Sequence, residues 1–328
     1  MPCSSNMSVG KNEESKKWPQ FLATCAANVA IFTMGLHTGW PGPSLPKILS
    51  DEFPYDVSNE AGSYITIIGN LGTIFGGLIG SLLLDRIGRR RTMLLIAMSY
   101  YVFELLYVAR VIGGLGEGMC LSIIPLYVAE IADASIRGVL STMISLTVIC
   151  GILFVNIVGS YVAINIAALS FLVFPIIFFI AFWKMPESPY FLLMKNKPEQ
   201  AEHILKFLRR KSNVDEELNA LEKDVKRQMS ESGNFRDIFT VDTNRTALIL
   251  AIGTRLVQQL TGISAFSLYI QILLSEATQV LSPQIGSSIV LFVQLIMMSL
   301  STLFVDKWGR KPLLLASAGA CFINLFIQ

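Results

Sequence analysis

Charge is scarce in this chain. Asp, Glu, Lys and Arg make up 15% of its 328 residues, against about 25% in an ordinary soluble domain. A surface so short of charge does not face water throughout. The net charge of +2 argues against a nucleic-acid partner, and the basic residues fall in short clusters between apolar runs. Cysteine gives no disulfide framework. Of the five, Cys25, Cys120, Cys150 and Cys321 lie inside apolar runs, where free cysteine behaves as a small hydrophobe. No nucleophile–base set, metal-ligand spacing or phosphate loop stands out, which argues against enzyme chemistry and implies no cofactor. No signal peptide is expected, because the chain opens on polar residues (Lys11, Glu13, Glu14, Lys16, Lys17) and its first apolar run is too long for a cleaved one.

What the chain has is long apolar runs. A spanning helix needs roughly 20 apolar residues. Phe21 to Trp40 meets this with His37 as its one basic group, and Ala61 to Leu84 carries no charge. Gly138 to Trp183 is uncharged and long enough for two spans, with a turn expected near Gly159. Thr246 to Leu274 carries only Arg255, Ala277 to Val305 carries none, and a last apolar run begins at Leu313.

Thr92 to Ala129 holds Glu104, Arg110 and Glu117 and is tight for two spans. Lys and Arg collect on the cytoplasmic side, so the cluster Arg86, Arg89, Arg90, Arg91 and the cluster Lys206, Arg209, Arg210, Lys211 require an even number of spans between them. Gly138–Trp183 supplies two. Thr92–Ala129 therefore supplies two more, the first of them short. This puts the N-terminus inside and the acidic segment Ser44–Glu60 outside, with eight spans and a ninth begun. The segment 185–245 reads as a cytoplasmic loop with amphipathic helices over Ala201–Lys211 and Val214–Arg227, Leu218, Leu221 and Val225 sharing one face.

A short motif occurs twice. Asp85-Arg86-Ile87-Gly88-Arg89-Arg90 follows the second span and Asp306-Lys307-Trp308-Gly309-Arg310-Lys311 the eighth, 306 − 85 = 221 residues apart. If six spans make one repeat, these positions are equivalent, which is the mark of parallel six-helix halves. Charges at a membrane edge seldom stay unpaired, and pairs that break in one conformation bias a two-state equilibrium.

Further motifs carry a family resemblance. They are Arg110-Val111-Ile112-Gly113-Gly114, Pro125-Leu126-Tyr127-Val128-Ala129-Glu130-Ile131-Ala132 followed by Arg137-Gly138, Pro186-Glu187-Ser188-Pro189, and Gln258-Gln259-Leu260-Thr261-Gly262. Together they resemble the sugar porter family of the major facilitator superfamily. Gly39-Trp40 and Tyr190 after the Pro-Glu-Ser-Pro motif resemble its insect facilitated trehalose transporters. The resemblance implies an all-α membrane protein of the major facilitator fold. Residues 1–18 would be a cytoplasmic tail, 19–184 the N-terminal six-helix half, 185–245 the cytoplasmic helical loop, and 246–328 part of a C-terminal half. The family has twelve spans, so the chain is expected to be incomplete at its C-terminal end.

The implied activity is facilitative transport of a neutral sugar such as trehalose or glucose across the plasma membrane. A sugar offers many hydroxyls, each a donor and an acceptor, so a site in mid-membrane needs neutral amides and hydroxyls with an aromatic wall. Gln258, Gln259 and Gln294 supply amides, Ser145 and Ser264 hydroxyls, Tyr269 an aromatic, and His37 a neutral imidazole facing the substrate or packed beside it. The same amides also serve as glue between helices. By resemblance Asp85, Arg89, Arg90, Arg110, Glu130, Arg137, Asp306 and Arg310 form a cytoplasmic gate, with Arg110, Glu130 and Arg137 at the cytoplasmic ends of spans four and five. His37 stands where proton-coupled members carry Asp and uniporters a neutral residue. Histidine titrates near neutrality, so proton-coupled symport through His37 is one alternative. A truncated membrane protein that transports nothing is the other.

Overall fold

In hydrocarbon every backbone N–H and C=O needs a partner within the protein, and a helix supplies them within one segment. The chain follows this rule. The structure, a computed structural model, describes residues 16–50, 53–100, 106–230, 237–277 and 281–327, all of it helix and connecting turns with no strand among them. Seven of its helices are long and apolar enough to cross a membrane, and the protein is a multi-pass integral membrane protein.

α1 (Trp18–Gly39) runs into α2 (Pro41–Ile48) with Trp40 itself in helical conformation (φ −54°, ψ −37°). The first span therefore extends past its expected end, and part of the Ser44–Glu60 segment is helical. Pro41 starts α2, at a position where a missing N–H costs nothing. α3 (Asn59–Ile87) is capped by Ser58, whose hydroxyl accepts from the Ala61 amide at 3.2 Å. α4 (Arg89–Ser99) lies where the short third span is expected, but its 11 residues are too few to cross and it is not among the seven, against the eight expected; α5 (Leu106–Ile131) is the long span after it. Glu104 lies outside the described residues.

α6 (Arg137–Tyr161) is followed by a sixth span in two pieces, α7 (Ile164–Phe171) and α8 (Val173–Trp183). The turn expected near Gly159 falls instead at Val162–Ala163. Gly159 stays helical, and its lack of a side chain serves packing, since a Cβ there would sit 2.8 Å from Pro43 Cγ.

α3 packs along α5, and α1 packs against α5, α6 and α8. The α3–α5 seam is lined by glycines. A Cβ at Gly72 or Gly76 would run into the carbonyls of Val111 and Leu115, and one at Gly114 or Gly118 into those of Gly69 and Thr73. Small residues let two backbones touch, a main source of helix association in lipid.

Beyond the sixth span come α9 (Pro189–Met194), α10 (Pro198–Arg209), α11 (Asp215–Ser230) and α12 (Asp237–Thr240). Both expected amphipathic helices are present, and α9 is an addition. Leu192, Leu193, Ala201 and Val225 form a small core with Leu218 and Leu221 packed on it. This group is tied to the first bundle by Gln20 Nε2 donating to Leu208 O (3.2 Å) and Arg209 Nη1 donating to Ile131 O (2.9 Å).

The seventh span is broken. α13 (Asp242–Leu260) and α14 (Ile263–Ala277) meet at Thr261-Gly262, where Gly262 has φ +75°. α15 (Pro283–Trp308) and α16 (Arg310–Ile327) follow. Gly309, between them, has φ +81°, and Gly88, between α3 and α4, has φ +96°. The two copies of the repeated motif thus make the same local structure, a long helix, a glycine in a region that favours glycine, and a new helix.

The first bundle and the later helices meet where α14 packs on α2 and α15 on α6. α13 packs on α12 and α14 and buries none of its own residues.

Candidate functional site

Three groups of polar residues interrupt the apolar bundle. The first lies at the basic end. Gly88 turns the chain so that Arg89 enters the bundle, where its side chain is 3% exposed and faces Glu130, 9% exposed. Arg89 Nη2 and Nε donate to the Glu130 carboxylate at 2.7 and 2.9 Å, the two-pronged geometry for which guanidinium is suited. Asp85, largely exposed, reaches Arg89 Nη1 at 3.7 Å. The guanidinium also lies over the Phe191 ring at 5.3 Å and the Tyr190 ring at 5.9 Å.

Glu187 completes this end. Its carboxylate accepts from the amides of Arg89 (2.9 Å), Arg90 (3.1 Å) and Ser188 (3.0 Å), so an acid caps the start of α4. Burial pushes the Glu187 carboxyl above its ordinary range, and these amides pull it back. Gly88 makes room for it, since a Cβ there would strike Glu187 and Phe191. Tyr127 Oη donates to Pro186 O at 2.9 Å. The Arg90 guanidinium donates to the Trp183 carbonyl. Arg137 is exposed at the start of α6. The side chains of Asp306 and Arg310 lie outside the described residues.

Arg110 is not at this end. It precedes Glu130 by 130 − 110 = 20 residues on the same helix, about 30 Å of rise. Arg110 Nη1 donates to His37 O at 2.9 Å and Nε to Ile65 O at 3.4 Å, with the Trp40 ring 5.4 Å away. It belongs to the second group, in which His37 Nδ1 lies 3.1 Å from Glu117 Oε2. Gly113 leaves room for the imidazole, because a Cβ there would meet the ring. His37, Trp40, Tyr100 and Arg110 face a cavity of about 540 Å³ inside the first bundle.

The third group is the set of amides and hydroxyls. Gln258 and Gln259 are exposed on α13. Gln258 Oε1 accepts from Arg255 Nη1 at 2.9 Å, and Gln259 Oε1 accepts from Ser264 Oγ across the break at 2.6 Å. Gln294 is exposed on α15, Ser145 half-buried on α6. Tyr269 marks a kink within α14, its backbone at φ −108°, ψ 15°. Among the described residues no hydrogen bond joins the α13 amides to the first bundle. The polar contacts that do cross run through Asn156 and Gln271, which the motifs do not signal. Glu117, an acid within an apolar run, and Glu187, of the Pro-Glu-Ser-Pro motif, join these site residues with contacts the sequence does not assign. A buried acid within a span and an acid just before a helix are the sequence signals that point to these two residues.

With fold and site described, the class is plain. The chain belongs to the sugar transporter family: the family model "Sugar (and other) transporter" matches residues 22–328. The facilitated trehalose transporter Tret1 of Anopheles gambiae is 28% identical, over 94% of this chain and 40% of the mosquito protein. The mouse facilitated glucose transporter member 6 of solute carrier family 2 is 30% identical, over 94% of this chain and 65% of that one. The chain spans 40% to 65% of the length of these curated relatives. The Escherichia coli xylose transporter XylE in a partially occluded inward-open conformation superimposes with a TM-score of 0.71 at 23% identity, over 90% of this chain and 75% of XylE. The proton:xylose symporter XylE bound to 6-bromo-6-deoxy-D-glucose gives 0.74 at 22% identity, over 90% and 70%. The fold is that of the major facilitator superfamily.

Proposed function

We propose that this chain carries out facilitative transport of a neutral sugar of the trehalose or glucose class by alternating access, and that it does so by transport alone, without enzymatic chemistry. The observation that carries this reading is the limited contact between two sets of helices. They are joined through α2, α6, α14 and α15, and the family model spans both sets. Two sets of helices that meet over a limited contact can rock against each other, as alternation between two access states requires.

In this reading 19–184 is one six-helix half and 246–328 part of the other, linked by the helical segment 185–245. The basic end is cytoplasmic, with the N-terminus, and the membrane is the plasma membrane. Gln258, Gln259 and Gln294 hydrogen-bond the sugar hydroxyls, Ser145 and Ser264 add hydroxyls, and Tyr269 supplies an aromatic wall. Amides bind without the full desolvation cost of a charge, so the sugar leaves again. Asp85, Arg89 and Glu130 are the core of the cytoplasmic gate, with Arg90, Arg137, Asp306 and Arg310 around it. Uptake of radiolabelled trehalose and glucose into proteoliposomes tests the reading. Saturable flux that Gln258→Ala and Gln259→Ala each reduce at least tenfold is expected, and flux no greater than in empty liposomes overturns it.

The contact between His37 and Glu117 favours a second reading, coupling to protons. The pair lies beside Arg110 and next to the cavity, in a setting where protonation would change how the three groups balance. An imposed pH gradient that leaves uptake unchanged removes this reading. A gradient that drives uptake, and fails to in Glu117→Gln, establishes it.

A further inference from the structure

The end of the bundle away from Arg89 is closed without ions. Asn156 sits near the end of α6 and is 2% exposed, Gln271 on α14 is 4% exposed, and Ser287 on α15 is wholly buried. Asn156 Nδ2 donates to Ser287 Oγ at 2.9 Å and lies 3.0 Å from Ser288 Oγ. Gln271 Nε2 donates to Asn156 Oδ1 at 3.0 Å and to Ser160 Oγ at 2.8 Å. Ser287 Oγ also lies 3.2 Å from Asn156 Oδ1. Asn156 and Ser160 belong to the first bundle, and the other three to the later helices.

Beside this cluster, Lys47 Nζ on α2 donates to the carbonyls of Gly159 (2.5 Å) and Val162 (2.8 Å), fixing the end of α6. Ile270, 2% exposed, is buried at the adjoining α2–α14 contact, where a Cβ on Gly42 would touch it at 3.9 Å.

We propose that Asn156, Ser160, Gln271, Ser287 and Ser288 form a neutral latch that holds the two halves together at this end and sets how often it opens. The proposal rests on the alternating-access reading. Helix association in lipid gains little from apolar contact, because lipid tails are as apolar as the side chains, so polar contacts weigh more. None of the five side chains titrates in the ordinary pH range. When the end opens, each hydrogen bond is exchanged for one to water, so the cost of opening is modest and repeatable. A buried ion pair at the same place would leave unpaired charges on opening. Placing the amide of Asn156 at the centre, bonded to both serines and to Gln271, makes the latch depend on one residue.

The test uses the full chain in lipid nanodiscs, where both faces are accessible, with its native cysteines replaced by serine. Ile270→Cys reports opening through its rate of reaction with a polar maleimide. Asn156→Leu, which keeps the size and removes its hydrogen bonds to Ser287, Ser288 and Gln271, is expected to raise that rate at least tenfold, since each bond contributes about 0.5–1.5 kcal/mol. Ser287→Ala with Ser288→Ala, a milder change that guards against failure to fold, is expected to raise it severalfold. Ser160→Cys with Gln271→Cys is expected to cross-link under mild oxidation or with a short thiol cross-linker. An unchanged labelling rate in the two loosened variants, or no cross-link, overturns the latch. Neither readout needs sugar flux. A responsive latch without uptake sinks the transport reading alone, and uptake without a responsive latch sinks only the latch.

Discussion

The two ends of the first bundle are held by opposite chemistry. At the basic end a guanidinium and a carboxylate are buried together, with Glu187 capping α4 beside them. At the other end amides and hydroxyls bond one another, with Lys47 spent on carbonyls of its own half. The difference teaches what each end tolerates. A buried ion pair is costly to break one partner at a time, because the survivor is left charged and dry. A neutral cluster loses only its hydrogen bonds. The ionic end is therefore a rigid platform within the first bundle, on which the proposed gate would close, and the neutral end a joint between that bundle and the later helices.

The sharpest way to break that contrast is to remove one ion. Glu130→Ala leaves Arg89 buried without its partner, and a loss of about 3–5 kcal/mol is expected, read as a large fall in the thermal-unfolding midpoint of the solubilised protein. Gly72→Val is next. It forces a branched side chain into the Val111 carbonyl, and overpacking of this kind costs about 1–3 kcal/mol. Glu187→Gln keeps the shape but weakens the cap on α4, with an expected loss of about 1 kcal/mol. If Glu187→Gln proved worse than Glu130→Ala, the Arg89–Glu130 pair would not be the centre of the platform.

The smallest effect concerns pH. Asp133, in the turn after α5, accepts from the Ser135 amide at 2.9 Å, which holds its carboxyl below the ordinary 3.8. A lowered carboxyl stabilises the fold above that value, and the contribution fades as pH falls through the lowered one. Wild type should lose slightly more stability than Asp133→Asn between pH 6 and pH 3, measured by the same unfolding midpoints.

Much of this architecture is legible in the residues. Uncharged runs mark the spans, and the Asp-x-x-Gly-Arg repeat marks two equivalent joints whose glycines share a positive φ. Two kinds of feature are not legible. Depth is one. Arg110 reads as one more basic residue of a cytoplasmic cluster until helix rise separates it from Glu130. Gly159 reads as a breaker, yet it stays helical with Pro43 against it. Long-range pairing is the other. Asn156 is an isolated polar residue in an apolar run, and its partners Gln271 and Ser287 follow more than a hundred residues later. No local spacing announces such a meeting.

The glycine seam between α3 and α5 has a mechanical consequence. Two rods in backbone contact, one of them 26 residues long and so about 39 Å, have no slack to slide or bow apart. Along the glycine seam they behave as one girder, so bending is left to the places where the helical ladder is interrupted, Pro125 within α5 and Thr261-Gly262 between α13 and α14.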